Sequence, residues 1–379
     1  MAKVKYFIFE ANKYIMIVND IINYLDELAP LSYAEDFDNV GLLVGDKNNE
    51  VTGILVTLDT LESVIDEAIE KKCNLIVSFH PIIFKGLKKL NGASYVERVV
   101  IKAIKNNINI FAIHTALDNA LQGVNSIICD TLGLKNKQIL MPQQGTIKKL
   151  ITFVPSKNAD QLRSALFESG AGNIGNYDNC SFNVEGKGTF KGNENSNPTI
   201  GKQGELRMED ETQISVTFHK HLEPQILNAL FKNHPYDEVA FEVSTLDNYN
   251  QNIGMGMIGE LEKETNTIEF LEFVKKTMNV SCIKHSSITK KTIKKVAVLG
   301  GSGSFAIQAA KSANADVLIT SDLKYHDFFT AENQIILADI GHYESEQYTK
   351  NFLAHHLSKK FTNFAVVLSA TNTNPVKYL

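Results

Sequence analysis

The 379 residues hold four cysteines, Cys73, Cys129, Cys180 and Cys282, and no two of them form a C-x-x-C pair. Such scatter excludes a disulfide framework and reads as reduced core thiols in a cytoplasmic protein. Long apolar runs are missing too, and none approaches the ~20 residues of a membrane span. The run Tyr6-Phe7-Ile8-Phe9 is cut off by Glu10, Asn12 and Lys13, too early for a signal-peptide core. Nor is there a surplus of positive charge. Lysine and arginine number 38 against 43 acids, a net −5, so no global basic field exists to hold nucleic acid or an anionic membrane. The basic clusters Lys85-Gly-Leu-Lys88-Lys89 and Lys290-Lys291 read as solvated faces.

What is present is the composition of an ordinary globular chain, 44% hydrophobic and 21% charged, long enough for two or three domains. Helical periodicity begins near Met16, which leaves residues 1–15 as an N-terminal extension. From there to about residue 145, strand-forming and amphipathic helical runs alternate in βαβ order, the signature of a parallel sheet with right-handed crossovers. Residues 248–379 repeat the plan. The intervening 146–247 differ in character. Strand and helix patterns there follow the order βαβ…βαβ of a ferredoxin-like α+β module, with a loop-rich stretch from Glu185 to Asp210. The expected fold is therefore α/β, two lobes of facing, pseudo-duplicated sheets, with an inserted α+β domain.

The chemistry gathers at strand ends. Asn109-Ile-Phe-Ala-Ile-His114-Thr-Ala-Leu-Asp118 and, more than 200 residues later, Ile335-Ile-Leu-Ala-Asp-Ile-Gly-His342-Tyr-Glu-Ser-Glu346 share one design. Each is a β-favouring run, then His, then an acid four residues on, and a helix starting at the His would put both groups on one face. His80, in Phe79-His80-Pro81, also follows an apolar strand, where open α/β sheets collect ligands. His80, Asp118, His342 and Glu346 together are a mixed imidazole/carboxylate set suited to zinc, iron or manganese. Helix N-capping is the competing role for Asp118, whereas glutamate caps poorly. Gly300-Gly-Ser-Gly303-Ser-Phe-Ala306 lies between a strand and a helix. Ala306 stands where a dinucleotide fingerprint has its third glycine, so close helix–strand packing is favoured over phosphate binding.

Five ordered segments carry a family resemblance: Glu35-Asp-Phe-Asp38-Asn-Val-Gly-Leu, Ser78-Phe-His80-Pro-Ile-Ile-Phe-Lys, His114-Thr-Ala-Leu-Asp118-Asn, Thr320-Ser-Asp-Leu-Lys-Tyr-His326 and Gly341-His342-Tyr-Glu-Ser-Glu346. Together they resemble the Nif-three-like proteins, also labelled GTP cyclohydrolase I type 2 homologues. The resemblance implies a dinuclear metal centre between two lobes, a ring-shaped homohexamer and a PII-like, CutA-like insert. By motif position, His80 and Asp118 match ligands of one metal, His342 a ligand of the other, and Glu346 the residue touching both. Many bacterial members have consecutive histidines where this chain has Phe79-His80. Either His114 or His326 then compensates, or water completes a weaker site, or one metal suffices, and His114 and His326 are the candidate proton carriers. The label implies hydrolysis by metal-activated water at C8 of guanine, with ring opening and loss of formate. A metal-binding regulatory or scaffold protein, whose insert senses a nucleotide or other small molecule, is the alternative.

Overall fold

The computed structural model describes residues 15–379, so the expected N-terminal extension falls almost wholly outside the described residues. Two compact units are present: the chain up to Met141 together with Ile253–Leu379, and Pro142–Asn252.

In the first unit, helix α1 (Val18–Leu28) leads to β1 (Gly41–Val44), β2 (Ile54–Thr57), β3 (Leu75–Ser78) and β4 (Asn109–Ala112), with helices α2 (Glu62–Glu70) and α3 (Tyr95–Lys105) as the crossovers. β2, β3 and β4 are mutually parallel, and β1 pairs antiparallel with β4. All four residues of β2, β3 and β4 are buried, the mark of strands covered on both faces. On β2 and β3, Ile54, Val56, Leu75 and Val77 face a large shared core. The alternate residues Leu55 and Ile76 pack instead on Val64 and Ala68 of α2 and Val99 and Ala103 of α3. Ser94 caps α3, its side chain accepting from the Glu97 amide, a contact that supports a helix end by ~1 kcal/mol.

Past β4 come α4 (His114–Asn119), α5 (Val124–Thr131) and β5 (Lys135–Gln143), which leads into the second unit. Its strands are β6 (Ile147–Pro155), β7 (Phe182–Phe190), β8 (Arg207–His219) and β9 (Phe241–Leu246), and its helices α6 (Ala159–Glu168) and α7 (Glu223–Asn233). They form one antiparallel sheet in the order β7-β8-β6-β9. Leu162 and Leu166 of α6 and Ile226 and Leu230 of α7 cover Leu150, Val154, Ile214 and Val216 on one face.

The stretch expected to be loop from Glu185 to Asp210 is strand at both of its ends and loop between them. β7 continues to Phe190 and β8 begins at Arg207, with Gly186 opposite Glu211 and Gly188 opposite Glu209. β7 is an edge strand exposed along most of its length. It therefore lacks the apolar alternation by which strands are recognised, and its two glycines fall in the stretch that reads as loop.

The chain re-enters the first unit through β10 (Asn250–Asn266) and α8 (Thr267–Thr277), then β11 (Lys284–His285), β12 (Thr292–Ser302), α9 (Ile307–Ser312), β13 (Val317–Ser321), β14 (Ile336–Asp339), α10 (His342–Glu346), α11 (Thr349–Lys360) and β15 (Val366–Leu368). The second sheet has the order β11-β14-β13-β12-β10-β5, with β12, β13 and β14 parallel. Val296, Val298, Val317, Ile319 and Ile336 meet the first sheet's inner residues in the shared core. The two sheets thus face one another across a common layer. β15 leaves the second half of the chain and joins the first sheet beside β2. No described helix is long and apolar enough to cross a membrane.

Candidate metal centre

Each parallel strand run delivers its functional side chains just past its carboxyl end. Asp59 follows β2, His80 follows β3, His114 follows β4, Asp322 follows β13 and His342 follows β14. Glu346 rises from the last turn of α10, four residues after His342 and on the same face.

The Nε2 atoms of His80 and His342 lie 3.1 and 3.2 Å from Glu346 Oε2. That is close to the ~3.3 Å expected between ligand atoms of a tetrahedral centre with bonds of ~2.0–2.1 Å. Glu346 Oε2 is buried with the two Nε2 atoms as its near polar neighbours, and Asp118 Oδ1 is buried with no hydrogen-bond partner. A carboxylate oxygen buried without a donor is costly.

The far edge of each imidazole is held by an acid. His80 Nδ1 lies 2.8 Å from Asp59 Oδ1 and His342 Nδ1 lies 2.7 Å from Asp322 Oδ2. With each Nδ1 committed to an acid, Nε2 is the atom each ring turns toward Glu346, and its lone pair becomes available to a cation once that nitrogen loses its proton, the arrangement by which outer carboxylates orient metal-binding histidines. Converging ligand atoms, an orphaned Asp118 oxygen and rings anchored at Nδ1 all fit a divalent cation held by His80, His342 and Glu346. Two nitrogens and a carboxylate oxygen suit zinc, iron or manganese.

Electrostatics agree with a site short of positive charge. Burial penalises the Glu346 carboxylate, but the His80 and His342 rings outweigh it and hold the acid at about 2. Asp118 is the reverse. Burial first and the Glu346 charge second push its carboxyl well above the ordinary range, so without a cation the site carries one acid fewer than it is built for.

Three of the four expected ligands therefore come together, and Asp118 lies near enough to feel Glu346 and His80. His114 is part of the same neighbourhood, its ring centroid 5.2 Å from that of His80. Its Nδ1 is 2.8 Å from Asp38 Oδ1, and Asp38 Oδ2 accepts from the Thr115 amide and hydroxyl. The backbone of His114 has φ +29°, a strained value for a residue with a side chain. Phe79 is fully buried and packs against both His80 and His114. His326 is elsewhere, on an exposed turn against Tyr325 and Phe329.

The glycine-rich turn after β12 has a packing role at this centre. The Gly300 amide donates to Asn125 Oδ1 and the Gly301 amide to Ser345 Oγ, both at 3.0 Å. Those two donors are thus unavailable to a phosphate. Gly301 has φ +71°, and a Cβ there would stand 2.5 Å from Glu346 Oε1. Gly301→Ala is accordingly expected to cost about 1–2 kcal/mol in backbone strain and to displace the Glu346 carboxylate. A melting temperature lower by several degrees together with reduced bound metal would be the outcome; unchanged metal content would refute it.

The acids Asp59, Asp38 and Asp322 were not among the expected site residues. Asp38 and Asp322 stand inside the family-like segments, and Asp59 follows an apolar strand. Its other oxygen accepts from the Thr373 hydroxyl at 2.6 Å, a partner 314 residues away that no local pattern reveals.

Residues 16–375 match the DUF34/NIF3 (NGG1p interacting factor 3) family. The chain belongs to the DUF34/NIF3 family. A Bacillus subtilis (strain 168) relative named GTP cyclohydrolase 1 type 2 homolog is 38% identical over 368 residues, 95% of this chain and 98% of its own length. A protein of the same name from Staphylococcus aureus (strain MSSA476) is 34% identical over 96% of this chain and all of its own length. Among solved structures, a Bacillus cereus protein related to NIF3 superposes with a TM-score of 0.84 at 34% identity, covering 97% of this chain and 100% of that one. In this NIF3-family chain, the five family-like segments are thus largely those that carry or flank the clustered histidines and acids.

Proposed function

We propose that this NIF3-family protein is a divalent-metal-dependent hydrolase acting on a cyclic amidine, with the GTP cyclohydrolase I reaction as its first candidate. The observation that carries this reading is the convergence of His80 Nε2, His342 Nε2 and Glu346 Oε2, with both imidazoles locked from behind by Asp59 and Asp322. A cation held there supplies Lewis acidity and lowers the pKa of a coordinated water toward ~7. Asp118, buried and biased toward its protonated form, is the neighbouring acid that a second cation would ionise. With Nδ1 committed to Asp38, His114 presents Nε2 as the atom that accepts or returns a proton.

The test is formate release from GTP by metal-loaded, full-length protein. Turnover is expected, and it is expected to vanish in the His342→Ala, Glu346→Ala double variant; no formate, or turnover that survives the double substitution, rejects the reading. Metal retained without hydrolysis of any nucleotide or ester would favour a regulatory scaffold. That alternative draws on the second unit, which has a core of its own. Its β6-α6-β7-β8-α7-β9 order suits a ferredoxin-like, PII-like module. Assembly as a homohexamer belongs to the same proposal, and sedimentation equilibrium tests it.

A further inference from the structure

The second unit encloses a space that the metal-site reading leaves unused. Its volume is about 550 Å³, inside the ~300–1,000 Å³ range of small-molecule sites. The floor is the sheet face turned away from α6 and α7. Phe153, Gln213 and Val184 stand opposite one another on adjacent strands, and Glu211 opposite Gly186 comes in the next row. Residues 191–206 close over this face. The Gly204 amide donates to Gly192 O at 2.8 Å, the Thr199 hydroxyl to Pro235 O at 2.8 Å, and the Asn197 amide to Asp237 Oδ2 at 3.1 Å. Pro198 and Ile200 of this segment complete the lining.

Two features define what fits. The walls are aromatic: Phe190 and Tyr236 have ring centroids 5.7 Å apart at 60°, with Phe153 beneath. Into them projects one carboxylate, Glu211, whose Oε1 accepts from the Tyr236 hydroxyl at 2.8 Å. Burial and the Glu211 charge push the Tyr236 phenol up, so it remains a donor at any physiological pH. Among the described residues no lysine or arginine pairs with Glu211, and the nearby Lys187 is tied to Asp210. The lining holds three acids, Glu211, Asp237 and Glu238, against two lysines, Lys187 and Lys191. The Gly188 position makes room for the acid, since a Cβ there would meet Glu211 Oε2 at 2.0 Å, whereas a Cβ at Gly186 meets nothing within 4 Å. A carboxylate with no lysine or arginine partner, set beside aromatic rings, selects a flat cation through charge-assisted hydrogen bonds and ring contacts.

We propose that this cavity binds a small planar cation, a one- or two-ring molecule bearing amidine, guanidine or amine N–H donors. The ring lies against Phe190 and Tyr236, and the charge pairs with Glu211.

Calorimetric titration of the full-length protein with benzamidine, and with benzamide as its uncharged isostere, tests this. Benzamidine is expected to bind saturably at about millimolar affinity or better and at least tenfold more tightly than benzamide. Glu211→Gln should abolish the preference, and Gly186→Phe, which fills the open space, should abolish binding. An unchanged circular-dichroism spectrum and unfolding profile in both variants show that the second unit is folded, unchanged metal content keeps this result separate from the metal centre, and Glu346→Ala should bind benzamidine as the parent does. Absent binding, equal affinity for the two probes, or affinity that Glu211→Gln leaves intact would overturn the proposal.

Discussion

Glu346→Ala is expected to strip the protein of metal, with affinity falling by more than the ~10–100-fold that loss of an outer-shell carboxylate costs. Glu346 is the point at which the two halves of the site meet. Its Oε2 lies 3.1 Å from His80 Nε2, at the end of a strand in the first sheet, and 3.2 Å from His342 Nε2, beyond a strand of the second. Glu346 is only 3% exposed, so water cannot restore its charge at the same place. Without the carboxylate, two imidazoles supported by Asp59 and Asp322 remain, a pair too sparse to hold a divalent ion in a defined geometry. Elemental analysis after dialysis should give stoichiometric metal for the parent protein and a trace for the variant. His326→Ala is the matched control, because that ring packs on Tyr325 and Phe329 at the surface, and full metal content is expected. Metal retained by Glu346→Ala would remove the basis of the proposed centre.

How much of this was legible in the sequence depends on the range of the contacts. His80, His342 and Glu346 stand at ends of apolar strands, and an i, i+4 pair on a helix is local information, so pattern alone singles them out. Strands β2, β3, β4, β13 and β14 are legible for the same reason, being buried on both faces and continuously apolar. The acids behind the histidines are a different matter. Asp59 joins His80 over 21 residues, Asp38 joins His114 over 76, and Asp322 joins His342 over 20. An aspartate after a strand looks the same whether it caps a turn or orients an imidazole. The far half of β7, from Glu185 to Phe190, reads as loop because Gly186 and Gly188 sit in an exposed edge strand. Their absent side chains leave open space at one position and room for Glu211 at the other, which is a tertiary reason. The glycines at 300 and 301 could be assigned to packing from sequence, but the object they pack against, Glu346, becomes apparent only in three dimensions.

Raising the pH from 7.5 to 8.5 is expected to tighten metal binding about a hundredfold. In the metal-free protein, burial disfavours a charged His80 ring, yet Glu346 and Asp59 outweigh it and push the pKa up to about 10. Burial is likewise outweighed at His342 by Asp322 and Glu346, which take it up to about 11. Both rings must lose that proton before Nε2 can ligate, so each contributes about one decade of apparent affinity per pH unit while the pH stays below its pKa. Histidines at the ordinary ~6.5 would already be neutral, and the same step would change affinity by less than about twofold. Folding stability of the metal-free protein runs the other way. A raised histidine pKa stabilises fully below ~6.5, and that contribution is lost as pH climbs through about 10 and 11. The rise in melting temperature on adding zinc should therefore widen with pH. Competition against a chromophoric chelator, corrected for the chelator's own protonation, measures the slope, and proton release on zinc addition counts the protons directly. A flat affinity profile would mean that Glu346 does not hold both imidazoles protonated, and that the three groups do not share a site in solution.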